Sequence, residues 1–228
     1  MLSWSHMRKL PNGTFGKNPG AIGQGAAGPG ASTADDAEPG RRPKPVRRTP
    51  ADVDRYLNQI RKAASRTSNW VSQSRDPLER FRLMKFILVG CHPIEDRPLN
   101  LMEQINQTWM YVVTLEAARL LLTWHPEAGG FHLAPGAGTA LQLDIMSETA
   151  GVVGAETFAA VDPENNDKLN KDLAKMAKRD ETYRYVFFMS PLFPNTQQQH
   201  KLERVDGVKV WSVAAPTLKA VPVRTVAP

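Results

Sequence analysis

The sequence predicts an α/β domain in which a mixed sheet of four to five strands is flanked by helices. Two observations carry this. Between Thr49 and Trp124 apolar residues recur every three to four positions, whereas from Phe131 onward they alternate or run in short unbroken stretches. The resulting order is three helices, three strands, a helix, a strand, a short helix and a last strand, with no internal repeat.

The first helix begins at Thr49, an N-cap with proline at the first helical position, and shows a one-sided face of Val53, Tyr56, Leu57, Ile60 and Ala64. A second opens near Asp76-Pro77, runs through Phe81, Met84 and Leu88, and ends by Gly90. The third and longest extends from near Asn100 to about Trp124, where His125-Pro126 and Gly129-Gly130 break it. Phe131-His132-Leu133 reads as a short strand. In TALQLDIMS, Leu141, Leu143 and Ile145 alternate with Gln142, Asp144 and Met146, so Asp144 is expected opposite the aliphatic face. VVGAETFAAV is the next strand, and the short SETAG turn makes the pair an antiparallel hairpin with Asp144 and Glu156 on one face. DPENNDKLNKDLAKMAKR then forms a helix with Leu169, Leu173 and Met176 in line and Lys168, Lys171, Lys175 and Lys178 beside them. YRYVFFMSP is a strand buried on both faces, TQQQHKLERV a short helix, and VKVWSV the last strand.

Composition divides the chain. Residues 1–48 are rich in Gly, Pro and Ala, cannot bury enough apolar surface to offset their ordering entropy, and are expected to be a disordered basic arm. Residues 49–97 form a helical extension packed on a core of residues 98–215, and 216–228 a flexible tail. Of the net charge of +6, the arm holds +5, from eight Lys/Arg against three acids, so the folded part is almost neutral. Arg41, Arg42, Lys44, Arg47 and Arg48 are therefore the candidate contacts to a nucleic-acid backbone, against the simpler reading of a solubilising linker. Cys91 is the sole cysteine, which excludes an intramolecular disulfide and a thiolate zinc cluster within one chain. It fits a cytoplasmic protein, as does the lack of a signal-like or membrane-spanning apolar run; Met7 is an alternative start to Met1.

The candidate chemistry lies in Asp144 and Glu156. Carboxylates projecting from paired strands hold a hard divalent cation, Mg²⁺ or Mn²⁺, whose chemistry is most often that of phosphate. Asn106, Gln107 and Gln142 are polar neighbours for the same cleft. Other motifs fade: PGAGTA precedes a strand instead of following one, DPENNDKLNKDL lacks the glycine of a calcium loop, and no spacing links Cys91-His92 with His125.

With acids on the second and third strands of a helix, three-strand, helix, strand order, residues 98–190 resemble the PD-(D/E)XK nuclease superfamily. The resemblance implies a restriction-endonuclease-like core and metal-dependent hydrolysis of DNA phosphodiester bonds. It gives Asp144 and Glu156 the role of metal ligands and Glu103, on the preceding helix, that of a third acid. The motif lysine is replaced by Phe158, so the resemblance looks to Lys168 or Lys171 on the following helix for the displaced cation. The alternative is a catalytically inactive member of the fold that binds nucleic acid or a protein, with a homodimer also open. A small-molecule enzyme would instead show an enclosed apolar pocket holding one or two polar groups.

Overall fold

A computed structural model describes residues 47–73, 76–135 and 142–216. Helix α1 (Pro50–Ser72) is closed at its start by a capping box, in which the Thr49 hydroxyl accepts from the Asp52 amide and the Asp52 carboxylate accepts from the Thr49 amide. Its buried face is Val53, Leu57, Ile60, Ala63 and Thr67; Ala64, expected inside, is exposed because Ala63 continues the stripe instead. Helix α2 (Pro77–Phe86) starts at the Asp76 cap but buries none of its residues, and Phe81 and Leu88 face outward.

Two short antiparallel strands, β1 (Gly90–Cys91) and β2 (Pro98–Leu99), lead into α3 (Leu101–Trp124), capped by Asn100. The rest forms a single mixed sheet from β3 (Phe131–Leu133), β4 (Ile145–Ser147), β5 (Val153–Ala159), β6 (Tyr183–Met189), β7 (Gln197–Gln198) and β8 (Val208–Ser212). Its order is β3-β4-β5-β6-β8-β7, with β5, β6 and β8 parallel and the other neighbours antiparallel. Six strands replace the expected four to five because Gln197–Gln198, read as helical, adds an edge to β8, leaving only a 3-10 turn at His200–Leu202. Between β5 and β6 the chain passes through α4 (Lys168–Met176), which begins later than its sequence suggested. The preceding turn holds Asn166 and Asp167 in the left-handed region, at φ 58° and 56°, conformations that short polar side chains tolerate better than others.

The sheet separates two cores. On one face α1 and α3 pack over Ile145, Val153, Ala155, Tyr185 and Phe187; on the other, Leu169, Leu173 and Met176 of α4 cover Phe158, Val186, Phe188 and Val210. Alternation along β5 sends Ala155 and Thr157 toward α3, and Glu156 and Phe158 toward α4. Among the described residues no helix is long and apolar enough to cross a membrane.

The basic arm ends at this scaffold. Arg47 is 6 % exposed and bridges its backbone to Phe131, with its guanidinium 3.6 Å from the centre of the Tyr56 ring. Arg47, which falls within the expected arm of residues 1–48, thus packs on the folded part. Residues 1–46 and 217–228, which hold most of the arm and tail, lie outside the described residues.

Candidate functional site

Strand β4 is shorter than the sequence predicts, and the site follows from that. Ile145 and Met146 pair with Ala155 and Gly154, and one further step in this register would set Asp144 opposite Glu156. Instead the chain bends: Leu143 joins the α4-side core while Ile145 enters the α3-side core, so the two do not share a face as expected. Gly154 permits this, because a Cβ there would stand 2.6 Å from the Leu143 methyl. Past Ala155, β5 has no strand partner on that edge. Asp144 Oδ2 takes over by accepting from the Thr157 amide at 2.8 Å and from its hydroxyl at 3.1 Å. Since the Thr157 hydroxyl spends its proton on Asp144, its 2.7 Å contact with Thr114 of α3 has Thr114 as donor, in competition with the Met110 carbonyl. Asp144 is thereby fixed to both β5 and α3.

Glu156 lies on the α4 side, 4 % exposed, and accepts from Lys175 Nζ at 2.7 Å. Burial, then the charge of Asp144, raise its pKa by more than Lys175 lowers it. One turn back on α4, buried Asp172 accepts from Lys168 Nζ at 2.5 Å and is likewise raised, by burial first. Asp172 Oδ2 is buried without a hydrogen-bond partner among the described residues. The Lys168 ammonium stands 5.8 Å from the centre of the Phe158 ring, over the position two residues after Glu156. Phe158 itself is core, stacked on Phe188 at 5.8 Å.

Three acids, Asp144, Glu156 and Asp172, and two lysines, Lys168 and Lys175, thus form one electrostatic cluster at the fork between β4 and β5. Lys168 and the two strand acids were singled out from sequence. Asp172 and Lys175 were not singled out, although the spacing of 168, 172 and 175 puts them on one helix face. Lys171 points elsewhere, to the Asn166 carbonyl at 3.3 Å. Glu103 is exposed in the first turn of α3. Eleven residues separate it from Thr114, about 16 Å of helix, so it is not brought to the cluster. Gln142 serves the periphery by accepting from Arg179, and Arg48 pairs with Glu148. Arg41, Arg42 and Lys44 lie outside the described residues.

The histidines have local roles. His92 Nδ1 accepts from the Glu95 amide at 3.0 Å, and buried His125 bridges Glu127 and Tyr185. Among the described residues no group of three or more His, Cys, Asp or Glu side chains could hold a metal ion. Oxygen donors are nonetheless what a hard cation takes, and Mg²⁺ commonly binds through one or two carboxylates with water completing its shell. Asp144 and Glu156 are donors of that kind, but Asp144 is bonded to Thr157, which faces α3, whereas Glu156 faces α4 and Lys175, so the expected common face of the two acids is not formed. No family model, no curated protein and no solved structure matches the chain.

Proposed function

We propose that the chain is a metal-dependent phosphodiesterase of the PD-(D/E)XK kind acting on DNA, with its lysine moved from β5 to α4. The observation that carries this reading is the relation of Lys168 to Phe158: the ammonium lies 5.8 Å from the ring centre of the residue that stands in place of the motif lysine, and it bonds Asp172. The element order supports it, since α3, the antiparallel β3-β4-β5 meander, α4 and a parallel β6 follow the order expected of that core.

In this reading Asp144 and Glu156 hold Mg²⁺ or Mn²⁺, which when bound supplies Lewis acidity to the scissile phosphate and acidifies the attacking water. Thr157 and Thr114 keep Asp144 from rotating. Lys168 offsets negative charge developing on the phosphate, and Asp172 orients that ammonium. Lys175 neutralises Glu156, and because its side chain is 47 % exposed water could solvate its ammonium if Glu156 were to hold a cation.

One observation favours the second reading, a non-catalytic nucleic-acid-binding module: Phe158 is fully integrated into the α4-side core and Glu156 is sealed beneath Lys175. Calorimetric titration with Mg²⁺ and Mn²⁺, scored beside plasmid nicking, separates the two. Metal uptake and nicking in the wild type, both lost in Asp144→Asn and Glu156→Gln, support the nuclease. A wild type that binds no metal but shifts DNA in a gel establishes the binding module.

A further inference from the structure

A second site stands apart from the acidic cluster. At the carboxyl ends of β5 and β6, beside the first half of α3, lies a cleft of about 1010 Å³. Crevices at the carboxyl ends of parallel strands are where α/β sheets receive ligands, and a mostly apolar lining with a few polar groups is the usual composition. The walls are Trp109 and Met110 of α3, Ala159 to Val161 beyond β5, and Met189 to Pro191 beyond β6.

The lining restricts the ligand in three ways. Among the described residues it contains no Asp, Glu, Lys, Arg or His, so this lining favours a neutral ligand over a phosphate or an ammonium group. Its large flat surface is the half-buried indole of Trp109, which packs on the core and on which no other ring stacks among the described residues. Its polar groups are carboxamides, Asn106 and Asn195, each presenting a donor and an acceptor. Both are exposed and make no side-chain hydrogen bond among the described residues. Asn195 is held in place by its backbone, whose carbonyl accepts from the Ser212 hydroxyl at 2.7 Å. The Ser190 hydroxyl stiffens the rim by donating to the Val161 carbonyl at 2.6 Å and accepting from the Leu192 amide at 3.1 Å. A neutral, planar group with donors and acceptors on its edge satisfies all three restrictions.

We propose that this cleft binds a nucleobase, either extruded from a strand or carried by a free nucleoside, with Trp109 stacking on its face and Asn106 and Asn195 bonding its edge. The strand-borne form rests on the nucleic-acid reading above; the free form does not. Stacking of a base on an aromatic side chain changes affinity by about tenfold or more, and carboxamides pair readily with base edges.

The test uses the full chain and 2-aminopurine fluorescence, with three probes: the free 2-aminopurine nucleoside, a single strand carrying it, and the same strand with an abasic site. Quenching of the base in the strand, about tenfold weaker binding of the abasic strand, and loss of that difference in Trp109→Leu support the proposal. Because Trp109 also touches the core, the exposed double variant Asn106→Ala/Asn195→Ala is measured in parallel and should weaken binding severalfold with unchanged thermal stability. Equal affinity for intact and abasic strands, unaffected by the Asn variants, overturns the cleft while leaving the nucleic-acid reading in place. Quenching of the free nucleoside without strand binding supports the cleft in its free form and rules out the strand-borne form. Binding of none of the three probes overturns the proposal, while plasmid nicking and the gel shift decide the nucleic-acid reading separately.

Discussion

The ammonium of Lys168 sits 5.8 Å from the centre of the Phe158 ring while bonding Asp172 at 2.5 Å, so one helix residue joins the apolar core to a buried carboxylate. Removing Lys168 strands that carboxylate. Lys168→Met should lower stability at neutral pH by about 1–2 kcal/mol, less than a sealed pair would lose because the lysine is partly solvated. Adding Asp172→Asn should return most of the loss, and a double-mutant cycle by urea denaturation reads the coupling directly.

Phe158 is the point where packing and chemistry meet. With Phe188, Leu169 and Leu173 around it, Phe158→Ala should cost about 3–5 kcal/mol in chemical denaturation, as buried Phe truncations do. Phe158→Leu should cost much less and leave DNA nicking, if present in the wild type, within about twofold, because the cation acts from α4. A large loss of nicking in a stably folded Phe158→Leu would show that the ring itself shapes the site.

Glu156 gives a pH dependence of defined sign. Its folded pKa lies above its ordinary 4.5, chiefly through burial, so between 4.5 and the raised value the folded chain holds more protons than the unfolded one. Its contribution to stability is therefore full below 4.5 and declines as pH rises through that window. Glu156→Gln should gain on the wild type progressively across the same window, and a series of denaturation curves from acid to neutral pH tests it. A Glu156→Gln protein that instead loses stability relative to the wild type as pH rises would reverse the sign argued here.

Arg47 and Arg48 are neighbours in the arm but differ in role. Arg47→Ala removes a desolvated guanidinium stacked on Tyr56 and should cost about 2 kcal/mol. Arg48→Ala loses only an exposed pair with Glu148 and should leave stability nearly unchanged. If the arm tracks phosphate, replacing Arg41, Arg42 and Lys44 should flatten the salt dependence of DNA binding, and replacing Arg47 should not.

Periodicity made the helices legible, and the caps at Thr49, Asp76 and Asn100 placed their starts within a residue or two. The switch to period two located β3, β5, β6 and β8. Two-residue strands such as β7 leave too little pattern to read, and the bend at Leu143 was hidden because its aliphatic side chain suits either face of the sheet. The strand acids were visible as residue types, but their surroundings were not. Whether Lys168 or Lys171 turns inward depends on where α4 begins, which the left-handed Asn166 and Asp167 decide. Nothing in the sequence sets Asp172 apart, and only the packing of α4 against the sheet buries it.

The fork at Asp144 also divides the sheet mechanically. Seven residue pairs join β5 to β6 and five join β6 to β8, whereas two join β4 to β5, reinforced by one carboxylate on Thr157. The β3-β4 pair is therefore joined to the parallel strands by as few ladder pairs as the edge strand β7, and its amides should exchange with deuterium ahead of those in the parallel strands.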